Sequence, residues 1–160
     1  LSYGFSPVTG VDVEGGAIYY DFPGTNDPGT TEVFASAGLS DMVLAPTATV
    51  YYDVDEVEGT YANVSVGHTF GMTEQLGLSL GAGLGWGDED YNTSYFNVTD
   101  SGLNDLALTA SLDYAVNDVF SISAYLGHSM LLDGDIEDAV DAGGGDSDIL
   151  SGGVGFYFSF

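Results

Sequence analysis

Apolar residues alternate with small or polar residues over much of this chain. The clearest case is 76–86, where every even position is apolar and every odd position is Gly or Ser. A period of two predicts a β-strand with one apolar face. The same pattern recurs, with more or less noise, at 12–22, 31–39, 43–53, 61–70, 106–115, 119–131 and 150–160. We therefore predict eight strands, with a short additional one at 1–5.

The predicted connections alternate in length. Short turns are expected at 40–41, 71–74 and 117–118, and longer acidic connections at 23–30, 54–59, 87–102 and 133–148. An up-and-down meander places all the long connections at one end, as transmembrane β-barrels do. The predicted fold is all-β, a single domain over 1–160: an up-and-down antiparallel transmembrane β-barrel of about eight strands (eight to ten).

Composition indicates which face meets lipid. Charges fall mainly in the connections, the strand faces with bulky apolar residues are nearly free of charge, and the opposite faces carry mostly Gly, Ser, Thr and Tyr. Because charge is costly on a lipid-facing strand, this distribution favours a barrel with its apolar side outward. The alternative is a water-soluble β protein with the apolar side packed inside.

The inward face is expected to be acidic. The chain has 25 Asp and Glu, no Lys or Arg, and a formal charge of −25, which excludes phosphate-based nucleic-acid binding. Tyr19 is expected to face inward together with the following lumen-facing residues: Glu32, Asp53, Tyr61, Asp113, Tyr125 and Tyr157. A lumen of this kind attracts cations, although eight strands also suit an interior plugged by its own side chains.

One acidic connection resembles a cation-binding loop. Asp133, Asp135, Glu137 and Asp138 place carboxylates at nearly alternate positions, which predicts a weak Ca²⁺ site, although the EF-hand pattern is incomplete. A solvated acidic loop is the alternative. There is no Cys, and no other cofactor is predicted.

The last six residues, Gly-Phe-Tyr-Phe-Ser-Phe, end an alternating strand on an aromatic side chain. They resemble the C-terminal signal by which bacterial outer-membrane barrels are recognised for insertion. The resemblance implies that Phe156, Phe158 and Phe160 form the signal, with the outer-membrane assembly machinery and the lipid bilayer as partners.

Residues 11–160 are also similar to the TorF-like family of porins. The similarity is carried by 17–24, 31–35, 45–53 and 59–63. It implies a barrel in the bacterial outer membrane, and members of that family carry further strands ahead of this region. On that reading the chain lacks N-terminal strands, and 1–5 is the end of one.

The expected function is therefore passive: a small cation-preferring porin or a structural barrel. The alternative is a secreted or cell-surface β protein that self-assembles as a homo-oligomer or binds a surface, its acidic loops bridged by divalent cations. No enzymatic activity or catalytic residue is predicted, because the serines follow the strand alternation and the loop acids lack the apolar pockets that tune a pKa.

Overall fold

The computed structural model describes residues 1–24 and 28–159. Nine strands and two helices lie within these ranges. They are β1 (Ser2–Val8), β2 (Val11–Tyr20), β3 (Thr30–Gly38), β4 (Thr47–Asp53), β5 (Thr60–Gly71), β6 (Leu76–Gly87), α1 (Glu89–Phe96), β7 (Gly102–Ala115), β8 (Phe120–Leu131), α2 (Gly134–Ala142) and β9 (Asp148–Phe158).

All nine strands form one antiparallel sheet in chain order, each paired with the next along the sequence. This confirms the predicted all-β, up-and-down arrangement, and nine strands fall within the predicted range. Strands β1 and β9 are the two edges, and no hydrogen-bonded ladder joins them within the described residues. The sheet therefore has the order of an up-and-down barrel without closure. No helix of the described chain is long and apolar enough to cross a membrane.

The connections differ between the two ends of the sheet. Both helices lie at one end, in the β6–β7 and β8–β9 connections, and we call this the helical end. The opposite end carries the shorter turns, with one exception. The β3–β4 connection spans 39–46, so 43–46 are not the start of a strand as the sequence predicted. Ala45 has a φ of 38° and Pro46 follows it, which ends the extended backbone despite the apolar side chains there.

The N-terminal strand is also longer than expected. Strand β1 continues to Val8 and contains Pro7, with a shift in register between Phe5 and Val8. Proline cannot donate a ladder hydrogen bond, but an edge strand with a bulge tolerates it. The additional strand predicted at 1–5 therefore covers only part of β1.

The register separates the sheet into two faces. The polar face consists of Glu32, Phe34, Tyr51, Tyr61, Gly85 and every other strand residue whose side chain points to the same side of the sheet. The apolar face consists of the residues between them, such as Leu80, Leu112 and Leu126.

No core covers the apolar face. Leu80 is 45% exposed and Phe158 is 60% exposed, and the only fully buried large hydrophobic side chain of the described residues is Ile136 in α2. A protein folded around a dry core of these strands would have buried them. The prediction of an apolar side facing outward is therefore the one that the arrangement supports.

Candidate functional site

Helix α1 lies against the helical end of the polar face, and Asp88 holds its first turn there. The Asp88 Oδ1 accepts a hydrogen bond from the Tyr91 backbone N–H (2.9 Å), and Oδ2 accepts one from the Thr60 N–H (2.8 Å). The Asp88 N–H in turn donates to the Thr60 carbonyl oxygen (3.0 Å). One side chain thus caps the helix and joins it to β5.

A pair of buried asparagines fixes the other side of α1. The Asn104 Nδ2 donates to the Asn92 Oδ1 (2.6 Å), and the Asn92 Nδ2 donates to the Asp100 carbonyl oxygen (2.8 Å). The Asn104 Oδ1 accepts from the Gly87 N–H (3.2 Å). Asn104 is the extra residue where the β6–β7 register shifts. The bulge therefore aims an amide at the helix, a common use of β-bulges beside sites.

Two glycines make room for α1. A Cβ at Gly59 would lie 2.5 Å from the Tyr91 backbone nitrogen, and a Cβ at Gly87 would lie 2.5 Å from the Asn92 Oδ1. A side chain at Gly59 would require the α1 backbone to shift, and one at Gly87 would displace the Asn92–Asn104 amide pair.

The docked helix completes an aromatic cavity of about 540 Å³. We call it the aromatic pocket, and its lining is Ile18, Tyr20, Phe22, Glu32, Tyr51, Tyr61, Tyr91 and Tyr95. The ring centroids of Tyr51 and Tyr61 are 6.3 Å apart, those of Tyr61 and Tyr91 are 5.2 Å apart, and those of Tyr91 and Tyr95 are 4.6 Å apart. Strands β4 and β5 and helix α1 thus contribute one continuous series of tyrosine rings.

Carboxylates surround this series of rings. The Tyr61 hydroxyl donates to the Asp105 Oδ2 (2.8 Å), and Glu32 lines the pocket together with Tyr20. Asp53, opposite Glu32 in the β3–β4 register, is 2% exposed and accepts from the Thr30 hydroxyl (2.5 Å). The end of the polar face is therefore rich in π electrons and negative charge.

Asp88 and the two tyrosines of α1 have pKa values that are shifted away from neutral pH. Burial raises the pKa of Asp88, but the hydrogen bonds from Tyr91 and Thr60 outweigh it, and the net pKa lies below its ordinary value. Burial, followed by the charge of Tyr95 and then of Glu32, raises the pKa of Tyr91 well above 10. The pKa of Tyr95 is also raised, first by burial. At neutral pH the cap is an anion and the helical tyrosines are neutral.

The six predicted lumen-facing residues all lie on the polar face but do not form one site. Glu32, Asp53 and Tyr61 meet at the helical end, whereas Asp113 and Tyr157 lie toward the turn end, with Tyr125 between them. The prediction for Tyr19 is wrong. It pairs with Thr31 on the apolar face and is 67% exposed.

Four residues that build the site were not predicted from the sequence. Tyr91 and Tyr95 line the pocket from α1, and Asn92 and Asn104 form the amide pair that fixes this helix to β7. The available signal was the sequence Asp88-Glu89-Asp90, an N-cap residue with acids in the first turn.

The predicted Ca²⁺ loop is a helix N-terminus. Asp133 caps α2, its Oδ1 accepting from the backbone N–H groups of Asp135 (3.0 Å) and Ile136 (3.2 Å). Glu137 and Asp138 lie within the helix. The described residues include no group of three or more His, Asp or Glu that could hold a metal ion. Ca²⁺ binding stays a prediction.

The predicted insertion signal lies in β9. Phe156 and Phe158 are on the apolar face and stack on Phe120, with centroid distances of 6.4 Å and 4.8 Å. Phe160 lies outside the described residues. Its role, like that of the other two, stays a prediction.

Outside β1, the aromatic side chains of the apolar face lie toward its two ends, whereas Tyr3 and Phe5 of β1 lie on this face opposite Gly15 and Val13 of β2. Tyr19, Tyr52 and Trp86 lie at the helical end, and Phe70, Tyr114, Phe120, Phe156 and Phe158 at the turn end. Apart from tyrosines, three ionisable side chains lie on the described part of this face: His128 and Asp148, 3.0 Å apart at the helical end of β8 and β9, and His68, whose Nδ1 is 2.6 Å from the Val43 carbonyl oxygen. Two aromatic bands around a region without carboxylates are typical of membrane-spanning strands.

Residues 77–81 spell Gly-Leu-Ser-Leu-Gly, which fits the motif of a hydrolase nucleophile elbow. That elbow is a sharp strand-to-helix turn. Here the segment lies inside β6, and the Ser79 Oγ is 2.8 Å from the Thr69 Oγ1 of the neighbouring strand. This backbone lacks the geometry that the motif requires.

The comparisons with known proteins supply the family. A family model described as "MltA-interacting protein MipA" matches residues 14–160, and members of that family are typically outer-membrane β-barrel proteins. The comparison with curated proteins gave no match. The narrower resemblance to TorF-like porins is not confirmed. Because the match covers most of its length, the chain belongs to the MipA family.

Proposed function

We propose that this protein is an outer-membrane β-barrel whose polar face lines a narrow, cation-preferring lumen. The observation that carries the proposal is the contrast between the two faces of one sheet. One face exposes large apolar side chains, and the other carries carboxylates, with no Lys or Arg anywhere in the chain.

The membrane part of the proposal follows from exposure. Leu126 and Val154 are 54% and 64% exposed in the middle of adjacent strands. A contiguous apolar surface of this kind is unstable in water and is what hydrocarbon requires. A sheet in lipid must be closed, because an open edge would leave backbone N–H and C=O groups without hydrogen-bond partners. The proposal therefore requires that the edges at β1 and β9 are hydrogen-bonded when the protein is in the membrane.

The cation preference follows from the charges of the polar face. Its acids extend from the helical end to the turn end: Asp12, Glu14, Glu32, Asp53, Asp105 and Asp113. Rings of carboxylates select cations in pores. With no Lys or Arg to neutralise them, the field along the lumen keeps one sign.

Reversal potentials in planar bilayers test this function. Purified protein is inserted into a bilayer that separates two KCl concentrations. The sign of the reversal potential is expected to show that K⁺ permeates more readily than Cl⁻. Asp113→Asn and Glu14→Gln remove charge from the polar face and should reduce this selectivity. Asp118→Asn, in the β7–β8 turn, is the matched control and should leave it unchanged.

Insertion and conduction can fail separately. Heat-modifiable gel migration and retention in the membrane fraction report the barrel. A protein that stays soluble without detergent would overturn the barrel, whereas an inserted protein with anion selectivity or no conductance would overturn the cation-preferring lumen alone.

The family description favours a second function, binding to MltA. Co-purification of tagged, detergent-extracted protein with purified MltA tests it. The expected result is saturable binding, and the absence of binding to MltA would contradict it.

A further inference from the structure

We propose that the aromatic pocket binds a small methylated ammonium cation, such as a free choline-like molecule. This site goes beyond ion passage through a lumen. It requires only that α1 is docked on the polar face.

The pocket has the composition that such cations require. Tyr51, Tyr61, Tyr91 and Tyr95 present rings within one cavity, and Glu32 lines it with a carboxylate. Aromatic rings attract cations through their negative faces, and quaternary ammonium groups are bound in cages of this kind. A volume of about 540 Å³ is within the usual size of small-molecule sites.

A hydrogen bond from one of the rings strengthens this attraction. The Tyr61 hydroxyl donates a hydrogen bond to the Asp105 Oδ2 at 2.8 Å. A phenol that donates to a carboxylate gains electron density, because hydrogen bonds to charged groups polarise their donors. The carboxylates thus act on the cation directly and through this ring.

The same features disfavour other ligands. A divalent metal needs several oxygen ligands, and no suitable group of acids exists among the described residues. A primary ammonium needs hydrogen-bond acceptors for three N–H groups, whereas a fully methylated, quaternary ammonium has no N–H group and needs none. A phosphate group would find no basic partner, since the chain has no Lys or Arg.

Calorimetric titration of the full chain in a maltoside detergent tests the proposal. The probes are tetramethylammonium and choline chloride at constant ionic strength, with sodium chloride as the balancing salt. Saturable binding of both is expected. The neutral isostere 3,3-dimethylbutan-1-ol should bind at least about 5-fold more weakly, because it has the shape without the charge. Equal binding of the isostere, or no saturable binding of the cations, would overturn the proposal.

Two pairs of variants locate the site. Glu32→Gln should weaken tetramethylammonium binding about 5-fold, while Glu14→Gln, the same change elsewhere on the polar face, should not. Tyr95 is 50% exposed, so Tyr95→Leu can fold while losing a ring. It should weaken binding similarly, whereas Tyr125→Leu, outside the pocket and 54% exposed, should not. Binding insensitive to both Glu32→Gln and Tyr95→Leu would overturn the assignment.

A further comparison separates a free cation from a lipid headgroup. Phosphocholine carries the same trimethylammonium group with a phosphate and should bind more weakly than choline. Tighter binding of phosphocholine would overturn the choice of a free cation. Because these titrations need no ion flow, they can succeed where the conductance experiments fail, and the reverse also holds.

Discussion

Gly87 shows how the absence of one methyl group positions a helix. In Gly87→Ala the new Cβ would lie 2.5 Å from the Asn92 Oδ1 and 2.6 Å from the Asn104 Nδ2. We expect the buried amide pair to separate and α1 to lose about 1–3 kcal/mol of its docking free energy. Amide exchange of 88–96 in detergent measures the loss.

Gly71→Ala is the control for that change. Nothing lies within 4 Å of a Cβ at this position, which is also the end of a strand. In Gly71→Ala, the backbone amides of α1 should be as well protected from hydrogen exchange as they are in the unaltered protein. Equal protection in Gly87→Ala as well would show that the asparagine pair does not hold the helix.

The lowered pKa of Asp88 predicts that the first turn of α1 is less stable in acid. Its pKa in the folded protein is below the ordinary value of 3.8, so its contribution to stability is fully present above that value. The contribution is lost as the pH falls through the lowered pKa. We expect the Tyr91 amide, after correction for intrinsic exchange, to lose protection in that acid range.

The variant Asp88→Asn tests whether Asp88 causes this loss of protection in acid. Asparagine can still cap a helix but does not titrate there. Its α1 should be less strongly capped, with protection that no longer changes with pH in this range. The same acid transition in Asp88→Asn would assign it to another group.

Helix α2 depends on a single buried side chain. Ile136 is fully buried, whereas the other large hydrophobic side chains of the described residues are not. Ile136→Ala should reduce the local stability of α2 by about 2–5 kcal/mol, because it removes buried methyl and methylene groups and leaves a cavity. Protease sensitivity of 132–147 reports this, with the half-buried Val140→Ala as a milder control. Equal sensitivity of the two variants would contradict the role of Ile136.

The strands were predictable because each has one apolar side and one small or polar side. In β6 this alternation is strict, and the observed strand, Leu76–Gly87, exceeds the predicted one by a single residue. Prediction failed where side-chain type and backbone conformation disagree. Val43 and Leu44 are apolar but precede the left-handed Ala45, and Pro7 concealed the continuation of β1.

The helices were not predictable from periodicity. Helix α1 has eight residues and no apolar stripe, and its docking comes from Asp88, from the Asn92–Asn104 pair and from glycines distant in sequence. The polar face could be assigned by alternation alone. The aromatic pocket could not, because Tyr91 and Tyr95 reach it only through the three-dimensional position of α1.

The sheet separates the two proposed functions onto two surfaces. Its apolar face has the exposure and the aromatic bands that suit hydrocarbon, and its polar face collects the acids and the pocket. Because neighbouring residues of a strand point to opposite faces, these surfaces can be tested by the same substitution at adjacent positions.

Leu126 and Tyr125 form such a pair in the middle of β8. Both are 54% exposed, and they lie on the apolar and polar faces respectively. Leu126→Arg should cost about 2–4 kcal/mol of folding free energy in a bilayer, as arginine does near the midplane of a barrel. Tyr125→Arg should insert normally, because its charge enters the proposed lumen, and should shift the reversal potential toward anions. Urea unfolding in lipid vesicles measures the first effect, and planar bilayers measure the second. If both variants insert equally well, the apolar face does not meet lipid, and if only Tyr125→Arg fails to insert, the assignment of the two faces is reversed.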